Sequence, residues 1–138
     1  MGVETVFSEN IRGVMKEIDQ TASKRMLEAV NAVRNVTLET LSGSRSGRVY
    51  RIPGTKKTYQ ASAPGEAPAQ QLGDLRKSVT GGLEKEGRRI IGYVGTGLPK
   101  GPMLEYGTSK MAARPWLRIS FEKSMETVKS IFSRRWLS

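Results

Sequence analysis

Glu84 and Glu86 are the two carboxylates best spaced for acid–base chemistry, because residues two apart on a strand lie on the same side. They stand beside Lys85, Arg88 and Arg89, a setting typical of a solvated, charged hairpin tip. The chain has no histidine and no cysteine, which removes the commonest general base, the Ser–His–Asp triad and thiolate chemistry. An enzyme would have to use lysine, tyrosine or carboxylates alone. We therefore expect that the protein is not an enzyme and has no cofactor and no metal site.

The glycine-rich stretch GTGLPKG (95–101) invites comparison with phosphate-binding loops. Its glycine spacing does not match the dinucleotide-binding fingerprint, and no Gly-Lys-Ser/Thr sequence follows it for a nucleotide-binding loop. Pro99 would also interrupt the helix start that such loops need. The stretch predicts a turn.

A group of basic residues interleaved with tyrosines fits a third kind of chemistry. Basic grooves with aromatic side chains hold single-stranded nucleic acid, and neutralisation of phosphates drives binding to duplexes. The same tyrosines would also fit the inward face of a hairpin, and no base-reading motif accompanies them. The candidate contacts to DNA or to an acidic protein surface are Arg48, Arg51, Lys56 and Lys57, next to Tyr50 and Tyr59.

The net charge of +10 over 138 residues is unevenly placed along the chain. Residues 1–42 hold five basic and six acidic residues, residues 43–66 hold five and one, and residues 67–138 hold thirteen and six. Such a field favours acidic partners, although it also serves solubility. No apolar run approaches the ~20 residues that cross a bilayer, and the N-terminus lacks a secretory signal pattern. We expect a soluble intracellular product without a membrane partner.

Residues 1–42 predict one long helix, because apolar residues recur there at steps of three and four. Such a helix would be about 50 Å long, which exceeds the diameter of a compact globule of this chain length. Either the helix kinks, near Gly13 or Thr21, or it projects and packs on another molecule. The stripe consists of Phe7, Ile11, Val14, Ile18, Ala22, Met26, Ala29, Val33 and Val36.

The middle of the chain, residues 43–114, predicts a small antiparallel sheet of hairpins. Short alternating runs are separated there by glycine and proline turns. From residue 115, where proline is a favoured first helical residue, a second apolar stripe predicts a C-terminal helix over 115–138. The whole chain, 1–138, is predicted as a single α+β domain. The middle elements are a hairpin at 49–61, an extended loop at 62–73, a helical turn at 74–78, a hairpin at 78–97 and a short helical piece near 98–108. The C-terminal stripe consists of Leu117, Phe121, Met125, Val128, Phe132 and Trp136.

The segment LEYGTSKMAARPWLR (104–118) predicts a rigid corner between the sheet and the last helix. Gly107 can adopt the positive φ that ends a short helical turn, and the proline at 115 restricts its predecessor to extended geometry. We expect Trp116 to anchor the helix against the sheet. The expected partners of the Glu105 carboxylate are Lys110 and Arg114.

This segment resembles the C-terminal signature of a family of bacteriophage neck proteins. The family comprises the tail-completion, or head–tail joining, proteins of long-tailed phages (siphoviruses), of the gene-product-ten type of HK-ninety-seven-like phages. The stretch YQASAPGEAPAQQLGDLRKSV (59–79) is similar to a second signature of that family, in the same order and spacing. The sequence departs from the pattern at Ala67, where proline is usual, and at Leu72, where threonine is usual.

The resemblance implies a structural virion protein, located at the head–tail interface and made in the host cytoplasm. Such proteins form an oligomeric ring around the DNA channel, and we expect a homo-oligomer of six- or twelve-fold symmetry. The implied partners are further copies of the chain, the head-side connector, the tail terminator or tail tube proteins, and genomic DNA in the channel. Candidate interface residues are Pro64, Gly65, Glu66, Glu105, Tyr106, Lys110, Arg114 and Trp116.

Three alternatives stay open in the sequence. Tyr106 and Trp116 would equally suit core packing, and Glu66 would equally suit a solvated loop. The alternative function is a small basic nucleic-acid-binding protein, which would bind DNA without any assembly partner.

Overall fold

The computed structural model of the chain describes residues 3–42, 45, 47–62, 66–68 and 73–137, with only the backbone described for residues 3–9. It confirms the α+β class, the long N-terminal helix and the C-terminal helix. The helices are α1 (Val3–Thr40), α2 (Asp74–Ser78), α3 (Lys100–Tyr106) and α4 (Leu117–Ser133), and the strands are β1 (Val49–Arg51), β2 (Thr58–Gln60), β3 (Thr80–Glu86) and β4 (Arg89–Gly95).

The strands form two separate antiparallel hairpins, where a single small sheet of hairpins was predicted. β1 pairs with β2, β3 pairs with β4, and no backbone ladder joins the two pairs in the described part of the chain. Both turns hold a glycine with positive φ, Gly54 at 76° and Gly87 at 58°. That backbone region suits glycine, so both hairpin turns could be predicted from the sequence.

The β3–β4 hairpin lies directly on α1. A Cβ added at Gly92 would come within 2.7 Å of the Val30 side chain and 2.8 Å of the Met26 sulfur. At Gly81, an added Cβ would come within 2.7 Å of Val30. The glycines therefore let the backbone of the hairpin approach the helix more closely than larger residues would.

α4 packs antiparallel to the C-terminal half of α1. Its start joins a core cluster with the end of α1, formed by Leu41, Leu75, Val79 and Trp116. Its end lies beside Arg25, whose guanidinium donates to the carbonyl oxygens of Ile131 (2.9 Å) and Arg134 (2.8 Å), and to that of Arg135. Arg25 thus satisfies one carbonyl in the last turn of α4 and two just beyond the helix, a position where a positive charge suits the helix dipole.

The face of α4 that is buried differs from the predicted stripe. Ser120 and Ser124 are 0% and 1% exposed, whereas Phe121, a member of the predicted stripe, is 50% exposed. The Ser120 hydroxyl donates to the carbonyl of Trp116, just before the helix, at 2.5 Å, and the Ser124 hydroxyl donates to that of Phe121 at 2.9 Å. Because both hydroxyls have backbone acceptors nearby, two small polar residues can be buried at little cost.

The bounds of α4 also differ from the prediction of 115–138. The helix begins at Leu117, since Trp116 has φ −135° and ψ −40°, and it ends at Ser133, where Arg134 turns extended. Trp136 lies beyond the helix but stays packed, with its ring under the Arg25 guanidinium at 5.2 Å. The predicted stripe therefore included one residue that packs from outside the helix.

α1 runs as one continuous helix through Gly13 and Thr21. Its buried residues begin at Arg25 and continue to Thr37. Ile11, Val14 and Ile18 in the preceding turns are 42%, 44% and 38% exposed. The apolar stripe is therefore buried in the second half of α1 and partly exposed in the first half.

Candidate functional site

The corner predicted at 104–118 is built around a buried tryptophan. Trp116 is 2% exposed, and its indole N–H donates to the carbonyl oxygen of Gly101 at 3.0 Å. A Cβ at Gly101 would collide with the side chain of Thr96, so α3 can pack this closely against Thr96 only with glycine at position 101. Trp116 therefore packs inside the chain and is not on a surface that a neighbouring subunit could contact.

Glu105 caps α4, which is not the role that the sequence predicted for it. Its carboxylate accepts hydrogen bonds from the backbone N–H groups of Trp116 (2.8 Å), Leu117 (2.8 Å) and Arg118 (3.0 Å). These donors have no partner within the helix, and a negative charge at a helix start is favourable. No ion pair joins Glu105 to Lys110 or Arg114 in the described residues.

Arg114 joins the corner to the beginning of the 62–73 loop, called the arm below. Its side-chain Nε donates to the carbonyl oxygen of Ser62 at 3.2 Å, and another guanidinium nitrogen donates to Ala112 at 3.0 Å. Its backbone N–H donates to Leu104 at 2.6 Å. Arg114 therefore connects the corner both to the arm and to α3.

The far end of the arm is joined to α3 by an ion pair. The Lys100 ammonium lies 2.6 Å from a carboxylate oxygen of Asp74. The hydrogen bond from Lys100 lowers the pKa of the Asp74 carboxyl below its ordinary value. Both ends of the arm are thus attached to the corner and the helix that precedes it.

The predicted interface residues of the arm are only partly described. Pro64 and Gly65 lie outside the described residues. Glu66 is half-buried and has an interaction partner within the chain, so it is not a freely solvated carboxylate. The carbonyl of Ala67 accepts a hydrogen bond from Arg45 at 2.6 Å, which ties this part of the arm to the residues that follow α1.

Two predicted interface residues of the corner, Tyr106 and Lys110, lie at the surface. Tyr106 is 83% exposed, so it does not pack in the core, and Lys110 is exposed as well. Met103, three residues before Tyr106 on α3, is 53% exposed. A rigid base therefore presents a tyrosine, a methionine and a lysine to solvent, and of these the tyrosine and the methionine are residue types enriched at protein interfaces.

A cleft of about 490 Å³ lies between the β1–β2 hairpin, the ends of the arm and α3. Tyr59, Pro68, Leu75, Met103 and Met111 contribute apolar surface to it, and Arg114 and Lys100 contribute charge. A concave, largely apolar cleft with a few polar groups has the usual form of a ligand-binding site. The cleft adjoins both stretches of the sequence that carry the family resemblance.

The basic hairpin presents its charges as predicted, since Arg48, Arg51, Lys56 and Lys57 are all exposed. Tyr50 and Tyr59 pair across the strands with ring centroids 6.0 Å apart, and Tyr50 is 48% exposed. One tyrosine face is therefore open to solvent beside the basic residues.

A second basic group is formed only when the chain folds. Arg12, Lys16, Lys85 and Arg88 line a cleft of about 700 Å³ between α1 and the tip of the β3–β4 hairpin. The carboxylate of Asp19 lies 3.4 Å from Arg88 in the same cleft. The four basic residues come from segments some seventy residues apart, so no local pattern in the sequence could have grouped them.

The described part of the chain contains no group of three or more acidic side chains arranged to hold a metal ion. Within the same residues, no helix combines the length and the apolar character needed to cross a membrane. Comparison of the chain with models of protein families, with curated proteins and with solved structures yields no match. The resemblance to phage neck proteins therefore rests on the two stretches of sequence.

Proposed function

We propose that the protein is a structural component of the phage neck, which completes the tail and joins it to the DNA-filled head. The observation that carries the proposal is the meeting of the two stretches that resemble the neck family. Arg114, in the second stretch, donates to Ser62 in the first, and Asp74 of the first pairs with Lys100 on the helix that leads into the second. The two stretches therefore form one surface unit.

The proposed mechanism is binding by a preorganised surface. The buried Trp116 ring and the Glu105 cap hold the corner in one geometry, and Tyr106 and Lys110 stand on it in solvent. An aromatic side chain on a rigid base loses little conformational entropy when it docks. The candidate partners are further copies of the chain in a ring, the head-side connector, and the tail terminator or tail tube proteins.

Electron microscopy of a lysate from a phage with a stop codon in this gene tests the proposal. We expect full heads beside unattached tails, or tails of aberrant length, and recovery of infectious particles when the purified protein is added. A Tyr106→Ala protein should restore fewer particles than Tyr93→Ala, a control at another exposed tyrosine, on β4. Intact infectious particles in the stop-codon lysate would overturn the proposal.

The exposed basic hairpin favours a second candidate, a nucleic-acid-binding protein. Four exposed basic side chains beside a half-exposed tyrosine fit phosphate neutralisation with base stacking. This function predicts that the purified protein binds duplex or single-stranded DNA with an affinity that falls steeply with salt. It also predicts that replacing the four basic residues by alanine removes most of that affinity. The residues are Arg48, Arg51, Lys56 and Lys57.

A further inference from the structure

The cleft between α1 and the tip of the β3–β4 hairpin opens where the hairpin moves away from the helix. At Gly81 and Gly92 the hairpin lies close to α1, since a Cβ added at either position would come within 2.7 Å of Val30. Nearer the turn, Lys85 and Ile90 pair across the strands, and their side chains occupy space between the hairpin and the helix. A cleft of about 700 Å³ is therefore present between α1 and the hairpin turn.

The alternation of the strands separates the charges of the hairpin between its two faces. Side chains two residues apart on a strand share a face. Lys85 therefore lies on the same face as Gly81, which is turned towards α1. Glu84 and Glu86 lie on the opposite face, where Glu86 is 4.0 Å from Arg89. The two glutamates thus point away from the cleft, and the lysine points towards it.

On the other side, one face of α1 lines the cleft. Arg12, Lys16 and Ser23 follow one another at intervals of four and seven residues, which places them on one side of the helix. Asp19 lies between them, and its carboxylate is 3.4 Å from the guanidinium of Arg88 in the hairpin turn. This ion pair joins the turn to the helix and holds the arginine beside the cleft.

Positive charge exceeds negative charge in the cleft. Among the described residues that line it, Asp19 is the only acidic one, and its carboxylate already pairs with Arg88. No ion pair of Arg12, Lys16 or Lys85 occurs in the described part of the chain. Like charges that line one concave surface focus their field and attract counter-ions. An anion with several negative charges would therefore be stabilised there.

The shape and the side chains of the cleft suit a compact phosphate compound. Its volume lies within the range of about 300–1,000 Å³ that is usual for small-molecule sites. Arginine donates two parallel hydrogen bonds to a phosphate group, and lysine binds phosphate as a point charge. Met15 and Ile90 add half-buried apolar surface, and Gln20 and Ser23 add an amide and a hydroxyl. The cations come from a helix and a turn and converge on one space, which suits a short chain of phosphate groups.

We propose that this basic cleft binds a compact anion with adjacent phosphate groups. Inorganic tripolyphosphate and the triphosphate of a nucleotide share this chemistry. The rise along α1 from Asp19 to Leu41, which packs with Trp116 in the core, is about 33 Å, so the site is remote from the corner. The inference therefore goes beyond the proposed neck function and does not depend on it. The side chains assigned to the phosphates are Arg12, Lys16, Lys85 and Arg88.

NMR titration of the isotope-labelled protein tests the site. The ionic strength is kept near the physiological value, where charges more than about 8 Å apart are largely screened. Tripolyphosphate should shift the backbone amide signals of Arg12, Lys16, Gly87 and Arg88 in a saturable manner. Signals that do not change, or that change linearly without saturation over the whole protein, would overturn the proposal.

Adenosine triphosphate and adenosine distinguish the two sources of the phosphate chain. Tighter binding of adenosine triphosphate than of tripolyphosphate would support a nucleotide site, and equal binding would support a site for the phosphate chain alone. Adenosine without phosphates should not shift the signals of the cleft. Saturable binding of adenosine there would contradict the assigned role of the four cations.

A pair of matched double variants separates the cleft from the overall charge. Arg12→Gln with Lys85→Gln should raise the dissociation constant for tripolyphosphate by about tenfold. Lys56→Gln with Lys57→Gln removes the same charge from the exposed turn of the β1–β2 hairpin and should change it by less than about twofold. Equal weakening in the two variants would show that binding follows net charge, which would overturn the site.

Asp19→Asn gives an opposite effect, because it removes the carboxylate that competes with the anion for Arg88. The dissociation constant for tripolyphosphate should fall by about threefold or more, and unchanged or weaker binding would overturn the site as assigned. A short single-stranded oligonucleotide tests an extended ligand. If it shifts the same signals at lower concentration than tripolyphosphate, the cleft binds a nucleic-acid backbone and the proposal of a compact ligand is wrong. The stop-codon lysate decides the neck function separately.

Discussion

The carboxylate of Glu105 and the guanidinium of Arg25 hold the two ends of α4. Glu105 accepts hydrogen bonds from three backbone N–H groups at the start of α4. Arg25 donates hydrogen bonds to three backbone carbonyls at and just beyond the end of α4. Each charge has the sign that the helix dipole favours at its position. Both residues come from other helices, so these two contacts fix α4 against α3 at one end and against α1 at the other.

Replacing Glu105 by alanine should lower the free energy of unfolding by about 1–2 kcal/mol, because three N–H groups at the start of α4 lose their acceptor. Urea unfolding followed by circular dichroism measures this change. Glu122→Ala serves as the control, since the Glu122 carboxylate makes an exposed contact of 3.9 Å with Arg118. Equal destabilisation by the two substitutions would contradict the capping role.

The Asp74 carboxyl should titrate below its ordinary pKa, because the Lys100 ammonium donates a hydrogen bond to it. A carboxyl pKa that is lowered by folding stabilises the fold above the ordinary value, and this stabilisation is lost as the pH falls through the lowered value. For so exposed a pair the contribution is less than about 1 kcal/mol. NMR titration of the Asp74 side chain should show the shift, and Lys100→Met should remove it.

The matched control for this titration is Lys77→Met, which removes an exposed lysine from α2 and leaves the Lys100 contact in place. The Asp74 pKa should stay lowered in that variant. An Asp74 carboxyl that titrates alike in all three proteins would show that the ion pair does not persist in solution.

The packing of elements depends on small residues at two contacts with α1. Gly81 and Gly92 let the β3–β4 hairpin approach the helix, and the buried serines of α4 leave no large side chain at their positions. Interiors are close-packed, so a single added methyl group at such a contact must displace its neighbours. Glycine and serine therefore set the spacing of the layers.

Gly92→Ala should destabilise the protein by about 1–3 kcal/mol, because the new methyl group would overlap the Val30 and Met26 side chains. The control is Gly95→Ala on the same strand, where an added Cβ would meet no atom of the described residues within 4 Å. Thermal unfolding of the two variants compares them directly. A loss in Gly95→Ala as large as in Gly92→Ala would mean that the close contact with α1 is not the cause.

The whole molecule is a packed body from which the first half of α1 extends. Its core lies around Leu41, Leu75, Val79 and Trp116, and the exposed stripe lies at the other end of the same helix. An apolar stripe without cover costs solubility unless another surface occupies it. The first half of α1 therefore adds little to the stability of the folded chain.

A chain that begins at Met15 should fold with a cooperative transition and should lose less than about 1 kcal/mol, because the removed turns cover little of the core. Thermal unfolding followed by circular dichroism measures this change. A shortened chain that is unfolded, or that is destabilised by several kcal/mol, would show that the first turns of α1 are part of the stable core.

Local patterns were sufficient for much of the fold. The 3.6-residue periodicity predicted both long helices, and the turn glycines at positions 54 and 87 predicted both hairpins, because these signals depend on neighbouring residues alone. The exposed basic hairpin and the positive φ of Gly107 could be predicted for the same reason. The corner could be predicted as a rigid element, although the partner of Glu105 could not.

Composition and short-range pattern by themselves determined the class of the fold, its helices and hairpins, and the excess of positive charge. The tertiary structure alone decided that α4 buries Ser120 and Ser124 instead of Phe121 and that Glu105 caps a helix. It also decided that the apolar side chains in the first half of α1 stay partly exposed. Each of these depends on which segments meet after the chain has folded. Hydrogen-bond partners and buried faces depend on residues that are distant in sequence, so local periodicity does not predict them.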